Sequence, residues 1–130
     1  LNTNIIVLKL FPGITKATVQ AVLKQDKTEA VLLETFGSGN APTSKWFLDE
    51  IEAAINSGQL ILNVSQCMGG TVEMGRYETS KRLKDLGVLS AFDMSFEAAL
   101  TKLMFVLGYT KNKEKRIAML STNLQVEMTL

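Results

Sequence analysis

The chain has 130 residues, 46% of them hydrophobic and 21% charged, with a formal net charge of +1. That suits one compact domain burying roughly two-thirds of its unfolded surface, with no need of a disulfide or metal staple. Near-neutral charge gives no basis for a nucleic-acid or membrane-surface partner, no apolar run approaches the roughly 20 residues of a membrane span, and the absence of histidine removes Ser-His-Asp, Cys-His and histidine-ligated metal chemistry.

In chain order, "NIIVLKLF" (Asn4 to Phe11) is a short β-branched apolar run closed by Pro12-Gly13, the pattern of a buried strand. The chain opens at Leu1 almost directly on this run, as a piece of a longer protein would. "ITKATVQAVLKQ" then reads as a helix. Thr15 is its N-cap, Ile14 and Val19 form a hydrophobic staple, and Thr18, Val19, Val22 and Leu23 share one face. "EAVLLETF" (Glu29 to Phe36) is a second strand, followed by the loop "FGSGNAP". Pro42 falls where a helix often starts. Phe47, Ile51, Ala54 and Ile55 make that helix's apolar stripe, and Gly58 ends it. "QLILNVS" (Gln59 to Ser65) is a third strand. It leads through "QCMGGTVEMG" to a helix over about 76–86, stopped by Gly87. "VLSAFDM" supplies a short fourth strand or edge. "SFEAALTKLMFVLG" (Ser95 to Gly108) is the clearest helix, capped by Ser95 or Asp93, with Phe96, Leu100, Leu103 and Leu107 on one face. A last short helix starts near Asn112 and carries Ile117 and Leu120.

Strands alternating with helices imply right-handed crossovers, hence an α/β, three-layer domain with a mostly parallel four-stranded sheet flanked by helices. In such folds ligands gather at the carboxyl ends of the strands. The loops "FPGI", "FGSGNAP" and "SQCMGGTVEMG" are therefore expected on one edge.

These loops do not match a phosphate cradle well. Gly37 and Gly39 fit the start of G-x-G-x-x-G, but Pro42 takes the third glycine's place and the loop follows the second strand; no Walker-type loop occurs. Taken alone, "FGSGNAP" reads as turn chemistry. Met68, Met74, Met94, Met104, Met119 and Met128 lack the tight spacing of a soft-metal cluster and read as gap-fillers. Asn63 opens a formal glycosylation triplet but sits in a strand expected to be buried. Lys111, Lys113, Lys115 and Arg116 read as a solvated basic face rather than a nucleic-acid contact. Cys67 is the only cysteine, so it closes no disulfide within the chain, which fits a reducing compartment. On composition alone, binding or assembly is what remains.

The stretches "LKLFPGI", "VLLETFGSGNAP", "SQCMGGTVEMGRYETSKRLKDLGV", "DMSFEAALTKLMFVLG" and "NLQVEMT" together resemble the C-terminal domain of L-asparaginases, closest to the cytoplasmic bacterial type I branch and its animal relatives. The most specific are "SQC" followed by a Y-x-T helix start, and "DMS-x-EAALTKL". The resemblance implies a parent enzyme that hydrolyses L-asparagine to L-aspartate and ammonia without a cofactor or metal, as a cytoplasmic homodimer or homotetramer. Its nucleophilic threonines and lysine-aspartate pair would lie in an N-terminal domain absent from this chain. The 130 residues would then be one C-terminal domain, inactive alone. A non-catalytic assembly or effector-binding module is the alternative. Another is the asparaginase-like subunit of a tRNA-dependent amidotransferase, which would carry a long N-terminal extension for its partner.

The resemblance also implies roles for particular residues. Asn40, in the "GSGN" loop, matches the asparagine that reaches into a neighbouring subunit's substrate pocket; its amide can donate and accept hydrogen bonds. Tyr77 matches a tyrosine lining the same pocket. Cys67 falls at a second, effector site for asparagine, where the bacterial pattern places an arginine at the position of Glu34. A carboxylate there repels the effector's carboxylate by about 1 to 4 kcal/mol at about 4 Å, depending on dielectric. Asparagine activation is thus not expected to survive, and saturation by asparagine should not be sigmoidal.

Overall fold

The computed structural model describes residues 2–35, 44–65 and 78–122. The elements run β1 (Ile5–Lys9), α1 (Lys16–Leu23), β2 (Ala30–Thr35), α2 (Lys45–Asn56), β3 (Leu60–Ser65), α3 (Glu78–Leu86), β4 (Leu89–Ser90), α4 (Phe96–Tyr109) and α5 (Lys113–Ser121). The strands form one sheet in the order β1-β2-β3-β4. Every pairing is parallel, with Leu8 opposite Leu33, Leu32 opposite Leu62, and Asn63 opposite Ser90.

The period of two along each strand divides its side chains between two cores. Val31, Leu33 and Ile61 face one cluster with Val19, Leu23, Phe47, Ile51 and Leu83, from α1, α2 and α3. Ala30, Leu32, Leu60, Leu62 and Val64 face the other, with Leu103, Val106, Leu107 and Leu120 from α4 and α5. The domain is therefore three layers, and each fully buried Leu, Ile or Phe contributes roughly 1.5–3 kcal/mol of transfer free energy. The face expected on α4 holds for Leu103 and Leu107, with Phe96 and Leu100 packed at its margin.

Local chemistry sets the helix ends. Thr15 Oγ1 accepts from the Thr18 amide at 3.2 Å, and its staple partners Ile14 and Val19 are both buried. Thr18, expected on the inner face, is exposed, because its hydroxyl stays with the Thr15 cap at 3.0 Å. Of the two caps expected for α4, Ser95 serves: its Oγ accepts from the Ala98 amide at 3.1 Å. Asn112 caps α5 through the Lys115 amide at 2.8 Å. Gly58 (φ +102°) and Gly87 (φ +108°) end α2 and α3. Each closes a Schellman motif, with Gln59 N donating to Ala54 O and Val88 N to Leu83 O. Pro42, the expected start of α2, lies outside the described residues.

Two long cations are buried, one of them against expectation. Arg116, read as part of a solvated basic run, is only 8% exposed. Its guanidinium donates to Leu107 O at 2.8 Å and Thr110 O at 2.6 Å, satisfying carbonyls at the end of α4. Lys102 is 1% exposed and donates to Thr122 O at 2.6 Å, beyond the end of α5. The two helices thus cap each other reciprocally. Lys111, Lys113 and Lys115 are exposed, as expected.

Candidate functional site at the carboxyl edge of the sheet

Parallel pairing puts the carboxyl ends of β1, β2, β3 and β4 on a single edge. Thr35 pairs with Ser65, so the stretches after β2 and β3 depart from adjacent strands at the same level. These stretches contain Asn40, Cys67 and Tyr77, and all three residues lie outside the described part of the chain. Of the sequence candidates only Glu34 is described. It is half-buried on β2, opposite Lys9 of β1 and Val64 of β3, and alternation turns it toward the α4 and α5 layer.

The rim itself contains a polar pair that the sequence reading did not single out. Thr35 and Asn63 have no exposed surface, and Thr35 Oγ1 donates to Asn63 Oδ1 at 2.7 Å. Both point toward the α1–α3 layer, Thr35 at the last position of β2 and Asn63 two positions before the end of β3. The signal was available: a polar residue near the end of each of two apolar strands, on the same face of the sheet. Burial of Asn63 also agrees with setting its glycosylation triplet aside. At the outer strands, Phe11 and Phe92 follow β1 and β4 with 50% and 45% exposure. Phe92 adopts φ +57°, uncommon for a bulky residue, and its amide donates to Ser90 Oγ at 2.9 Å. The edge therefore has a buried polar pair on its two middle strands, between two exposed rings.

Glu29, at the opposite edge, is a carboxylate held below its usual range. The Asn4 amide is the leading cause; burial opposes it, and Asn2 and Arg116 add further donors. The distances are 2.9 Å from Asn4, 2.7 Å from Asn2 and 3.1 Å from Arg116. Among the described residues no group of three or more His, Cys, Asp or Glu could hold a metal ion, and no helix is long and apolar enough to cross a membrane. The half-buried Glu34 and Ser90 give this rim a carboxylate and a hydroxyl that can take part in hydrogen bonds. Its described residues contain no paired nucleophile and base.

Comparison with known proteins gives this edge a context. The chain is 39% identical over 123 residues to L-asparaginase 1 of Escherichia coli (strain K12), covering 95% of this chain and 36% of that protein. It is 42% identical over 123 residues to the 60 kDa lysophospholipase of Homo sapiens, covering 94% of this chain and 21% of that one. Among solved structures, L-asparaginase I from Vibrio cholerae superposes with a TM-score of 0.88 at 39% identity, over 99% of this chain and 39% of that chain. The chain thus spans well under half the length of these relatives. The sequence model described as Glutaminase/Asparaginase C-terminal domain matches residues 4–120. Nearly the whole domain is included in that match, from β1 to the last turn of α5, and the chain belongs to the glutaminase/asparaginase C-terminal domain family.

Proposed function

We propose that residues 1–130 are the C-terminal domain of an L-asparaginase whose catalytic threonines lie on a separate N-terminal domain. The parent enzyme would break the carboxamide C–N bond of L-asparagine, add water across it, and release L-aspartate and ammonia. The observation that carries this reading is the likeness to an L-asparaginase I across 99% of the chain at a TM-score of 0.88. The parent is read as a cytoplasmic homodimer or homotetramer, in which Asn40 and Tyr77 of one subunit complete the substrate pocket of the next. The parallel sheet supports that role. It sends the segments holding Asn40, Cys67 and Tyr77 from adjacent strand ends, beside the buried Thr35–Asn63 pair.

The test on the full-length parent is ammonia release from L-asparagine and from L-glutamine, with fatty-acid release from a lysophospholipid as a separate assay. Asparagine should be hydrolysed by the parent and by no preparation of the 130-residue chain alone. Asn40→Ala in the parent should lower kcat/KM about 10- to 100-fold, as expected for one lost hydrogen bond to a charged substrate, with an unchanged melting temperature. A folded parent that releases ammonia from neither amide rejects the activity. Unchanged kcat/KM in Asn40→Ala rejects the role of that residue.

A further inference from the structure

Residues 2–4 lie just ahead of β1, at a position where a chain without further contacts frays. Here they are tied down by one side chain, that of Glu29, which stands immediately before β2. Glu29 Oε2 accepts from Asn2 Nδ2 at 2.7 Å and from Asn4 Nδ2 at 2.9 Å. The Glu29 amide donates in turn to Asn4 O at 2.9 Å. Within the segment, Asn4 N donates to Asn2 Oδ1 at 2.9 Å, and Asn2 N reaches Met104 O on α4 at 3.3 Å. Asn2 is thus engaged through its backbone amide and both polar atoms of its side chain. Residues 2–4 form a strap rather than a loose lead.

The acceptor is itself held from behind. Glu29 Oε1 meets the Arg116 guanidinium at 3.1 Å, and that guanidinium is fixed on Leu107 O and Thr110 O. β2 is a middle strand, with β1 and β3 on its two sides. The carboxylate therefore stands on the centre of the sheet and on the α4–α5 junction together. Its chemistry suits the place: two carboxamides and a guanidinium all present N–H groups to it, and a carboxylate offers acceptors only. Apolar packing does not account for it, because the side chain keeps 30% exposure.

We propose that Glu29 is a positioning residue: it latches residues 2–4 onto the α4–α5 layer and so fixes the course on which the polypeptide enters β1. The consequence for catalysis rests on the asparaginase reading. There the chain ahead of residue 2 would lead to the catalytic domain, and the latch would help set where that domain stands relative to the carboxyl rim.

The first test needs no activity. Nitrogen-15 relaxation on the 130-residue chain should give backbone order parameters of about 0.85 at residues 2–4, as in β1. In Glu29→Ala they should fall below about 0.6 there, while those of β2 and α2 stay unchanged. If Glu29→Ala does not fold, Asn2→Ala combined with Asn4→Ala removes the same side-chain bonds from the strap, leaves the Arg116 pair in place, and should free residues 2–4 equally. In the full-length parent, proteinase K should cut the strap of either variant at least about tenfold faster than that of wild type. Both variants should also lower kcat/KM for L-asparagine about 3- to 10-fold, measured well below the melting temperature, although neither change touches substrate. A merely structural role leaves kcat/KM at the wild-type value in any folded molecule. Unchanged order at residues 2–4, or a loss of order spread evenly over β2 and α2, overturns the latch. A freed strap with wild-type kcat/KM overturns the positioning role. A wild-type parent that hydrolyses neither amide defeats the asparaginase reading instead, and relaxation and proteolysis still decide the latch.

Discussion

Thr35 shows how a single buried hydroxyl can fix the edge on which a site is built. Its donation to Asn63 Oδ1 spans two parallel strands where neither residue has exposed surface, so the hydroxyl's own proton has no water to turn to. Thr35→Val keeps the shape and the β-branch but removes the donor. The variant should be destabilised by about 1–3 kcal/mol, read as a lower urea midpoint at unchanged m-value. A midpoint equal to wild type would mean that the hydroxyl contributes nothing net. Glu29 provides the matching test in pH. Donors from Asn4, Asn2 and Arg116 outweigh burial and hold its pKa below the ordinary 4.5. A depressed folded-state value contributes stability that is complete above the unfolded value and is lost as pH falls through the folded one. Wild type should therefore exceed Glu29→Gln in stability at neutral pH, and the gap should close as pH drops below 4.5. A gap constant from pH 7 to about 3 would contradict that linkage.

At the scale of elements, α4 and α5 hold together by exchanging cations across their ends. Arg116 of α5 serves Leu107 O and Thr110 O, and Lys102 of α4 serves Thr122 O. Arg116→Met keeps much of the apolar stem but strands those carbonyls and removes the cation beside Glu29. A loss of about 2–4 kcal/mol is expected, tempered by the partial exposure of Glu29. Hydrogen exchange should show α5 amides losing protection before those of α1 and α2. Equal protection across the three helices would place the anchor elsewhere. This anchor was not legible in the sequence, whereas the elements it joins were. The 3.6-residue stripe of Phe47, Ile51 and Ala54 and the near-continuous apolar runs of β2 and β3 declare helix and buried strand through periodicity, a local signal. The partners of Lys102 and Arg116 lie across the interface between two helices. In a string of letters "KNKEKR" is indistinguishable from a solvated face. Thr18 misled for a similar reason: it keeps helical spacing with Val22, but a hydroxyl bonded at the cap stays outside the core.

For the molecule as a whole, the central sheet joins two separate cores. β2 gives Val31 and Leu33 to one face and Ala30 and Leu32 to the other, and β3 divides in the same way. The parallel arrangement was legible because strand–helix alternation leaves few alternatives, and with it the common edge of the strand ends. The proposed roles of Asn40 and Tyr77 were not, because they come from likeness to a family rather than from any contact that spacing could disclose. The shared sheet has a thermodynamic consequence. If α4 and α5 detached, Leu32, Leu62 and Val64 would be exposed to water while the same strands still carried the opposite core. At about 25 cal/mol per Å² of apolar surface returned to water, that half-stripped state is costly relative to the native chain. Calorimetry on the 130-residue chain should therefore give one transition, with a van't Hoff enthalpy equal to the calorimetric one and near 90 kcal/mol at about 60 °C. Two resolved transitions, or a van't Hoff enthalpy near half the calorimetric value, would mean that the two helical layers unfold independently and that the sheet does not couple them.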